Sequence, residues 1–186
     1  QHRIKNSLAL IAGMIGLEMD RAAAPGTRGI LGNLKDRILS LSSLYEILLR
    51  SGAADEIDLG EYLRSIVSAL AETYAGGSSR VRVEQEIEGI PIDVKRAVPL
   101  GLIVNELTTN ALKYAFHPGE RGTIRVALSS SGGSIELSVS DDGAGLPGGF
   151  DPGASGGLGL SIVRMMASQQ GCELSVSGGV GTTYVL

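Results

Sequence analysis

The sequence has no tryptophan, only one cysteine, and few aromatic residues, which make up 4% of the chain. Cys172 alone cannot form an internal disulfide, and we expect it to be a small buried residue of a strand. No apolar run approaches the roughly 18 residues that a membrane-spanning helix needs. Basic runs and zinc-ligand spacings are also absent, which argues against nucleic-acid binding. We therefore expect a globular protein that is soluble over this stretch, in the cytoplasm.

The first part of the chain, residues 1–52, predicts two helices joined by a short loop. Proline and glycine at positions 25 and 26 separate them. Apolar residues recur at helical spacing in the first helix at Ile4, Leu8, Ile11 and Ile15, and in the second at Leu34, Ile38, Leu41, Tyr45 and Leu48. Such an antiparallel hairpin leaves a wide apolar side uncovered, so we expect a homodimer that completes a four-helix bundle. The alternative is that this side packs on the rest of the same chain.

His2 stands at the head of the first helix, near the polar margin of its apolar stripe. We therefore expect its side chain to be exposed and reachable. An exposed lone histidine is usually only a solvated side chain. Its interpretation depends on the motifs downstream.

The second part, residues 53–186, predicts a mixed α+β domain after a linker at residues 51–55. The predicted helices are 59–74, 98–116 and 158–169, and the predicted strands are 81–87, 123–128, 135–139, 173–176 and 182–185. Adjacent strand pairs with helices between them favour a mixed, largely antiparallel sheet covered on one face by helices. Pro99 is tolerable only if it lies in the first turn of its helix.

The predicted helix 98–116 carries four polar residues, Glu106, Asn110, Lys113 and Tyr114, at spacings that would place them on one face. A carboxylate, an amide oxygen and an ammonium suit a magnesium-bound triphosphate, because hard cations prefer oxygen ligands and phosphate attracts positive charge. The alternative is the polar surface face of an amphipathic helix.

Asp141 and two glycines, Gly143 and Gly145, follow directly after a predicted strand in an Asp-x-Gly-x-Gly pattern. The carboxylate is an acceptor that suits the amino group of adenine. The glycines let the chain approach a flat ligand closely. Taken alone the pattern is weak, because Asp-Gly turns are common.

Glycines also mark the start of the last predicted helix, in the segment Gly156-Gly157-Leu158-Gly159. Free backbone N–H groups and the positive end of the helix dipole favour a phosphate there. Residues 146–155, which precede it, are rich in glycine and proline and are suited to a lid over a nucleotide.

Together these three segments resemble the N, G1 and G2 boxes of the Bergerat ATP-binding fold, shared by gyrase, mismatch-repair ATPases and sensor histidine kinases. Residues 179–184, Gly-Val-Gly-Thr-Thr-Tyr, resemble its closing glycine-threonine strand. With His2-Arg3-x-Lys5-Asn6 upstream, the chain resembles a sensor histidine kinase of the HRxKN subgroup. This subgroup is related to the HWE kinases, but the tryptophan motif of the HWE group proper is missing here.

The resemblance implies a fold and a set of roles. Residues 1–52 would form the dimerisation and phosphotransfer hairpin, and residues 53–186 an α/β sandwich of the Bergerat (GHKL) type. His2 would be the phosphoacceptor, Asn110 the magnesium ligand and Asp141 the adenine reader. The other implied ATP contacts are Lys113, Tyr114, Gly143, Gly145, Gly157, Leu158, Gly159 and Thr182. Arg3 cannot accept a proton from His2, so either Glu106 or water would be the base.

The implied activity is autophosphorylation of a histidine from ATP and Mg²⁺, followed by transfer to an aspartate of a response-regulator receiver domain. The sensor domain would precede Gln1 in the full-length chain. One rival interpretation is a histidine phosphotransfer protein whose GHKL-like domain no longer uses ATP. A second is a serine kinase or an ATP-driven clamp of the same fold, but neither explains a helical hairpin headed by histidine.

Overall fold

The computed structural model describes residues 2–21, 26–32, 34–35, 38–39, 42, 56–75, 80–151 and 157–186. The chain divides into two compact units, Gln1–Ala54 and Asp55–Leu186. The predicted linker at residues 51–55 lies outside the described residues, as do Leu41, Tyr45 and Leu48 of the second predicted helix. Among the residues that the structure describes, no helix is long and apolar enough to cross a membrane.

The first unit contains helix α1 (His2–Arg21) and a second helical segment that includes residues 26–32. Two close contacts show how these helices run. A Cβ placed on Gly16 would lie 3.7 Å from Lys35 Nζ, and one on Gly32 would lie 3.6 Å from Met19 Sδ. Gly16 thus lies near Lys35 and Met19 near Gly32, so residue numbers fall along the second helical segment as they rise along α1. The two helices are therefore antiparallel, and the predicted hairpin is confirmed over the described residues.

The second unit is an α+β sandwich. Its strands are β1 (Glu56–Asp58), β2 (Arg80–Ile87), β3 (Pro91–Asp93), β4 (Arg121–Ser131), β5 (Ser134–Asp141), β6 (Ser175–Gly179) and β7 (Gly181–Val185). Its helices are α2 (Leu59–Ala75), α3 (Val94–Asn110) and α4 (Leu158–Gln170), and a π-helical turn, Ala111–Ala115, follows α3 directly.

The main sheet has the strand order β2-β4-β5-β7-β6, with β2 parallel to β4 and every other pair antiparallel. Apolar side chains are buried at alternate positions of the central strands because successive residues of a strand point to opposite faces. On β4 and β5 these buried residues are Ile124, Val126, Leu128, Leu137 and Val139. The predicted mixed, largely antiparallel sheet is thus confirmed.

Helix α3 contacts both α2 and α4, so it is the central helix of the layer. Its apolar residues Leu100, Ile103, Val104 and Leu107 are buried. The predicted start near residue 98 is wrong, because Asp93 caps the helix earlier: Oδ1 of Asp93 accepts a hydrogen bond from Lys95 N–H at 2.6 Å. Pro99 is therefore the sixth helical residue, beyond the first turn, where it lacks the N–H that would bond to the Lys95 carbonyl.

Three further sequence expectations differ from the structure. The short strands β1 and β3, which pair with each other, were not predicted, because three residues are too few to show an alternating pattern. The strand expected at residues 173–176 lies at Ser175–Gly179. Cys172 is half-buried in the connection before that strand instead of in a strand.

Candidate nucleotide-binding site

Helix α3 brings Glu106 and Asn110 to the same side of the second unit, one helical turn apart. Glu106 is 4% exposed and Asn110 is part-buried. A buried carboxylate is costly unless polar partners or a cation compensate for it. The interpretation of these residues as a solvated surface face is therefore wrong for Glu106.

The π-helical turn carries Lys113 and Tyr114, and both side chains are exposed, Tyr114 by 70%. A π-helix closes its hydrogen bonds from residue i to i+5, so each residue turns through a smaller angle than in an α-helix. The expectation that all four polar residues share one face of a single α-helix is wrong for this reason. Lys113 and Tyr114 extend from a widened turn at the end of α3.

Two backbone donors hold the carboxylate of Asp141, the last residue of β5: one lies in the loop after β5 and the other in β7. Oδ1 accepts hydrogen bonds from Gly143 N–H at 3.0 Å and from Thr182 N–H at 3.3 Å. Within the described part of the chain, the second oxygen, Oδ2, accepts no hydrogen bond. One oxygen thus fixes the orientation of the carboxylate and the other remains as an acceptor for a ligand N–H group.

The pKa of Asp141 is raised above its ordinary value. Burial is the main cause, because a half-buried carboxylate is less hydrated than one in water, and this disfavours its ionised form. The neighbouring charge of Asp142 also raises the pKa, while the N–H groups of Gly143 and Thr182 lower it. Burial also raises the pKa of Tyr184, and the charge of Asp141 adds to that shift.

Glycines are required where the loop after β5 meets the β6–β7 turn. Gly145 has φ +73°, and a Cβ there would lie 2.7 Å from the Gly179 carbonyl oxygen. Gly181 has φ +83°, and its Cβ would meet the backbone of Asp141, 2.7 Å from the carbonyl carbon. Both positions combine a positive φ with no room for a side chain. The β6–β7 turn therefore presses directly against the residues that follow β5.

Helix α4 begins at the glycine segment expected to bind phosphate. Gly157 is its N-cap and is exposed, Leu158 is half-exposed, and Gly159 is buried. Glycine has no side chain with which to cap, so among the described residues no side-chain cap occupies the first N–H groups of α4, and an external acceptor could bind them. Residues 152–156 of the expected lid lie outside the described residues.

The structure joins four of the predicted site residues, Asp141, Gly143, Gly145 and Thr182, into one assembly. Asp141, Gly143 and Thr182 are linked by hydrogen bonds, and Gly145 packs on the turn that precedes Thr182. Thr182 acts here through its backbone N–H, which binds Asp141, and the residue itself is buried. His2 belongs to the other unit, and the predicted exposure of its side chain lies outside what the structure describes.

Sequence reasoning missed two residues that shape this site. Gly181 lies in the glycine-threonine motif, next to the predicted contact Thr182. The sequence signal for it is a second glycine two positions after Gly179. Asp142 binds the backbone of Thr123. No sequence signal distinguishes it from an ordinary solvated aspartate.

Comparisons with known proteins agree with this geometry. A family described as "Histidine kinase" matches residues 1–74, and one described as "Histidine kinase-, DNA gyrase B-, and HSP90-like ATPase" matches residues 95–186. A solved histidine kinase domain from the Erythrobacter litoralis EL346 blue-light activated histidine kinase is 35% identical, with a TM-score of 0.74. The match covers 100% of this chain and 86% of that structure. The chain belongs to the histidine kinase family.

Curated relatives extend well beyond the matched region. Blue-light-activated histidine kinase 2 of Erythrobacter litoralis is 36% identical over 188 residues, which is 98% of this chain and 53% of that protein. Sensor histidine kinase PdtaS of Mycobacterium tuberculosis is 29% identical over 171 residues, 91% of this chain and 34% of that protein. This histidine kinase chain thus spans about half of the first relative and about a third of the second.

Family membership confirms the resemblance stated from the motifs, and with it the predicted fold class. The N-terminal helices precede an α/β sandwich of the type that histidine kinases share with gyrase B and HSP90. As a member of the ATPase group, the second unit is expected to use ATP.

The raised pKa of Asp141 leads to a prediction for Asp141→Asn. Asparagine retains an oxygen that can accept from Gly143 and Thr182 but cannot ionise. Because the folded state raises this pKa, it binds the proton more tightly than the unfolded state, and ionisation lowers stability as pH rises through the folded value. The free energy of unfolding of the variant minus that of the wild type should increase as pH rises above the ordinary value of 3.8.

Urea unfolding at a series of pH values measures this difference. A difference that stays flat or decreases with rising pH would contradict the assigned direction of the shift.

Proposed function

We propose that this chain is the kinase core of a sensor histidine kinase, which transfers the γ-phosphoryl group of ATP to His2. The observation that carries the proposal is the carboxylate of Asp141, held by two backbone N–H groups with its second oxygen directed to no protein donor in the described part. Together with the buried Glu106 and the glycine contacts around Gly145, it forms a site suited to a nucleotide.

In this proposal each part of the site binds a different part of ATP. Oδ2 of Asp141 accepts from the amino group of adenine, and the glycine loop of Gly143 and Gly145 allows close approach of the base. The start of α4, from Gly157 to Gly159, and the exposed Lys113 bind phosphate oxygens, because both present positive charge. Tyr114 and Leu158, both exposed, would contact the nucleotide from the rim.

Asn110 is proposed to hold Mg²⁺ through its side-chain oxygen, next to Glu106. Among the described residues, no group of three His, Cys, Asp or Glu side chains could hold a metal ion alone. This agrees with the chemistry of Mg²⁺ in phosphoryl transfer, where one or two protein ligands act together with phosphate oxygens and water. When bound, Mg²⁺ would neutralise part of the triphosphate charge.

The proposed reaction forms a bond from a ring nitrogen of His2 to the γ-phosphorus and breaks the bond from that phosphorus to the bridging oxygen of ADP. The imidazole then carries a positive charge until its other N–H loses a proton. Free imidazole has a pKa of about 6.5, so a neutral, nucleophilic ring predominates near neutral pH. Arg3 cannot accept the proton, and we assign this role to Glu106, with water as the alternative.

The two units would divide this work. The first unit, with His2 at the start of α1, would be the dimerisation and phosphotransfer hairpin, and the second unit would bind ATP. The partners proposed are an aspartate-bearing response-regulator receiver domain in the cytoplasm and a sensor domain that precedes Gln1 in the full-length protein.

His2→Ala tests the acceptor. Incubated with Mg²⁺ and γ-labelled ATP, the wild-type chain should gain a phosphate that survives alkali and is lost in acid, as expected for phosphohistidine. The alanine variant should gain none, because it has no ring nitrogen. Equal labelling of both proteins, or an acid-stable label, would place the acceptor elsewhere and favour a serine kinase.

Glu106→Gln tests the base. Glutamine has nearly the same shape but cannot take the proton, so ATP affinity should stay within a few-fold while the phosphorylation rate falls roughly 10²-fold or more, the usual range for a lost general base. Asn110→Ala should instead weaken binding of Mg²⁺-ATP. Glu136→Gln, an exposed carboxylate on β5, serves as the matched control. Wild-type rates in Glu106→Gln at saturating ATP would assign the proton to water.

A homodimer is proposed because α1 exposes an apolar stripe. Leu10, Met14 and Leu17 recur on one side of the helix and are 65%, 51% and 61% exposed, while Ala12 on the other side is 2% exposed. The stripe lies away from the side that packs on the second helical segment. Covering it with a second copy would remove apolar surface from water, which is the main driving force for association.

Met14→Glu should shift the chain toward monomer, since a charge in an apolar interface is strongly disfavoured. The apparent dissociation constant should rise about tenfold or more, equivalent to about 1.4 kcal/mol. Light scattering over a concentration series measures it, with Met14→Leu as the apolar control. A wild-type chain that stays monomeric at every concentration would disprove the dimer.

A further inference from the structure

Three short segments meet beside the proposed nucleotide site and contact one another in a closed ring. They are residues 115–116 at the end of the π-helical turn, residues 122–123 at the start of β4, and residues 142–144 after β5. We call this arrangement the loop clamp. Each segment contacts the other two, so the position of any one is set by both of its neighbours.

The first contact joins Asp142 to Thr123. Asp142 N–H donates to the Thr123 carbonyl oxygen at 3.2 Å, and Thr123 N–H donates to Asp142 Oδ1 at 2.7 Å. In a continuing antiparallel ladder, Thr123 would bond to the backbone carbonyl of Asp142. Here the side-chain carboxylate replaces that carbonyl, so the backbone after Asp142 can leave the sheet while the pair stays bonded at both ends.

The second contact joins the loop to the π-helical turn. Ala144 N–H donates to the Ala115 carbonyl oxygen at 2.8 Å. The backbone of Gly143 lies so close to Ala115 that an added Cβ would be 2.7 Å from its carbonyl carbon. The base-binding loop therefore rests directly on the turn that carries Lys113.

The third contact closes the ring. The side chain of Phe116 lies on Gly122, where an added Cβ would be 2.6 Å from the ring atom Cδ1. A tight turn returns the chain from Phe116 to β4: Glu120 N–H donates to the His117 carbonyl at 3.0 Å, and His117 N–H donates to Glu120 Oε2 at 2.7 Å. The end of the π-helical turn is thus fixed to the same strand that binds Asp142.

We infer that Asp142 is a positioning residue, which through the loop clamp holds the base-binding carboxylate of Asp141 at a fixed place relative to the phosphate-binding turn of Lys113. The inference rests on the proposed function, since it assumes that these two residues bind opposite ends of ATP. Asp142 itself is exposed and its carboxylate is bonded to Thr123, so it need not touch the nucleotide. Its charge also raises the pKa of Asp141, because the two neighbouring carboxylates repel each other. The hydrogen bonds between Asp142 and Thr123 offset this repulsion.

A ligand that spans both ends of the site should depend on the clamp more than a ligand that occupies only one. We therefore compare ATP with adenosine, using the whole chain and isothermal calorimetry. In Asp142→Ala the dissociation constant for ATP should rise about tenfold or more, because misplacement of binding groups by an ångström is severe. The dissociation constant for adenosine should change by no more than about threefold, since Asp141 alone reads the base.

Two further variants separate the roles of shape and charge. Asp142→Asn keeps an oxygen acceptor for Thr123 N–H, so it should restore ATP affinity to within about threefold of the wild type. Phe116→Leu loosens a different contact of the same ring and should reproduce the selective loss of ATP affinity. Glu136→Ala, which removes an exposed carboxylate from the other end of β5, should change neither ligand's affinity.

Equal losses of ATP and adenosine affinity in Asp142→Ala and Phe116→Leu would overturn the inference, because partial unfolding lowers both affinities by the same factor. No loss of either affinity would overturn it as well. Failure of Asp142→Asn to restore binding would show that the charge acts directly and would overturn it too. A folded wild-type chain that bound adenosine but not ATP would refute the proposed kinase function, and the positioning role with it.

Discussion

The hydrogen bonds from Gly143 and Thr182 to one oxygen of Asp141 are the interaction on which the second unit's site depends. They come from two segments 39 residues apart in sequence, the loop after β5 and the strand β7. Withdrawing a carboxylate from water is costly, and backbone donors offset part of that cost. The remaining cost is seen in the raised pKa of Asp141. The protein thus keeps a carboxylate where stability alone would favour a neutral side chain.

Glycines allow the segments around Asp141 to approach one another closely. Gly181 brings β7 against the backbone of Asp141, and Gly145 brings the loop against the β6–β7 turn. Any larger residue at these positions would separate Thr182 N–H from the carboxylate it binds. Close packing of the backbone therefore requires glycine at these positions, in addition to any need for loop flexibility.

Helix α3 connects the core of the second unit to its site. Its buried face, which includes Ile103 and Leu107, fixes it in the helix layer, and this in turn sets the places of Glu106 and Asn110. The π-helical turn then changes the direction of the chain, so that Lys113 projects from the rim while Ala115 supports the loop after β5. A straight α-helix through residue 116, as the spacing predicted, would not present these residues in the same way.

The sequence by itself determined the class of the fold, the order of most of its elements and the family, because apolar periodicity, glycine positions and the motifs around Asn110 and Asp141 are local features of the chain. Helix α2 and the β4–β5 hairpin follow directly from such patterns. Only the tertiary structure decided the parallel pairing of β2 with β4, the π-helical turn, and the bonds that join Thr182 to Asp141 and Thr123 to Asp142. These depend on contacts between segments far apart in sequence, where local propensity carries no information about which backbone donor meets which acceptor.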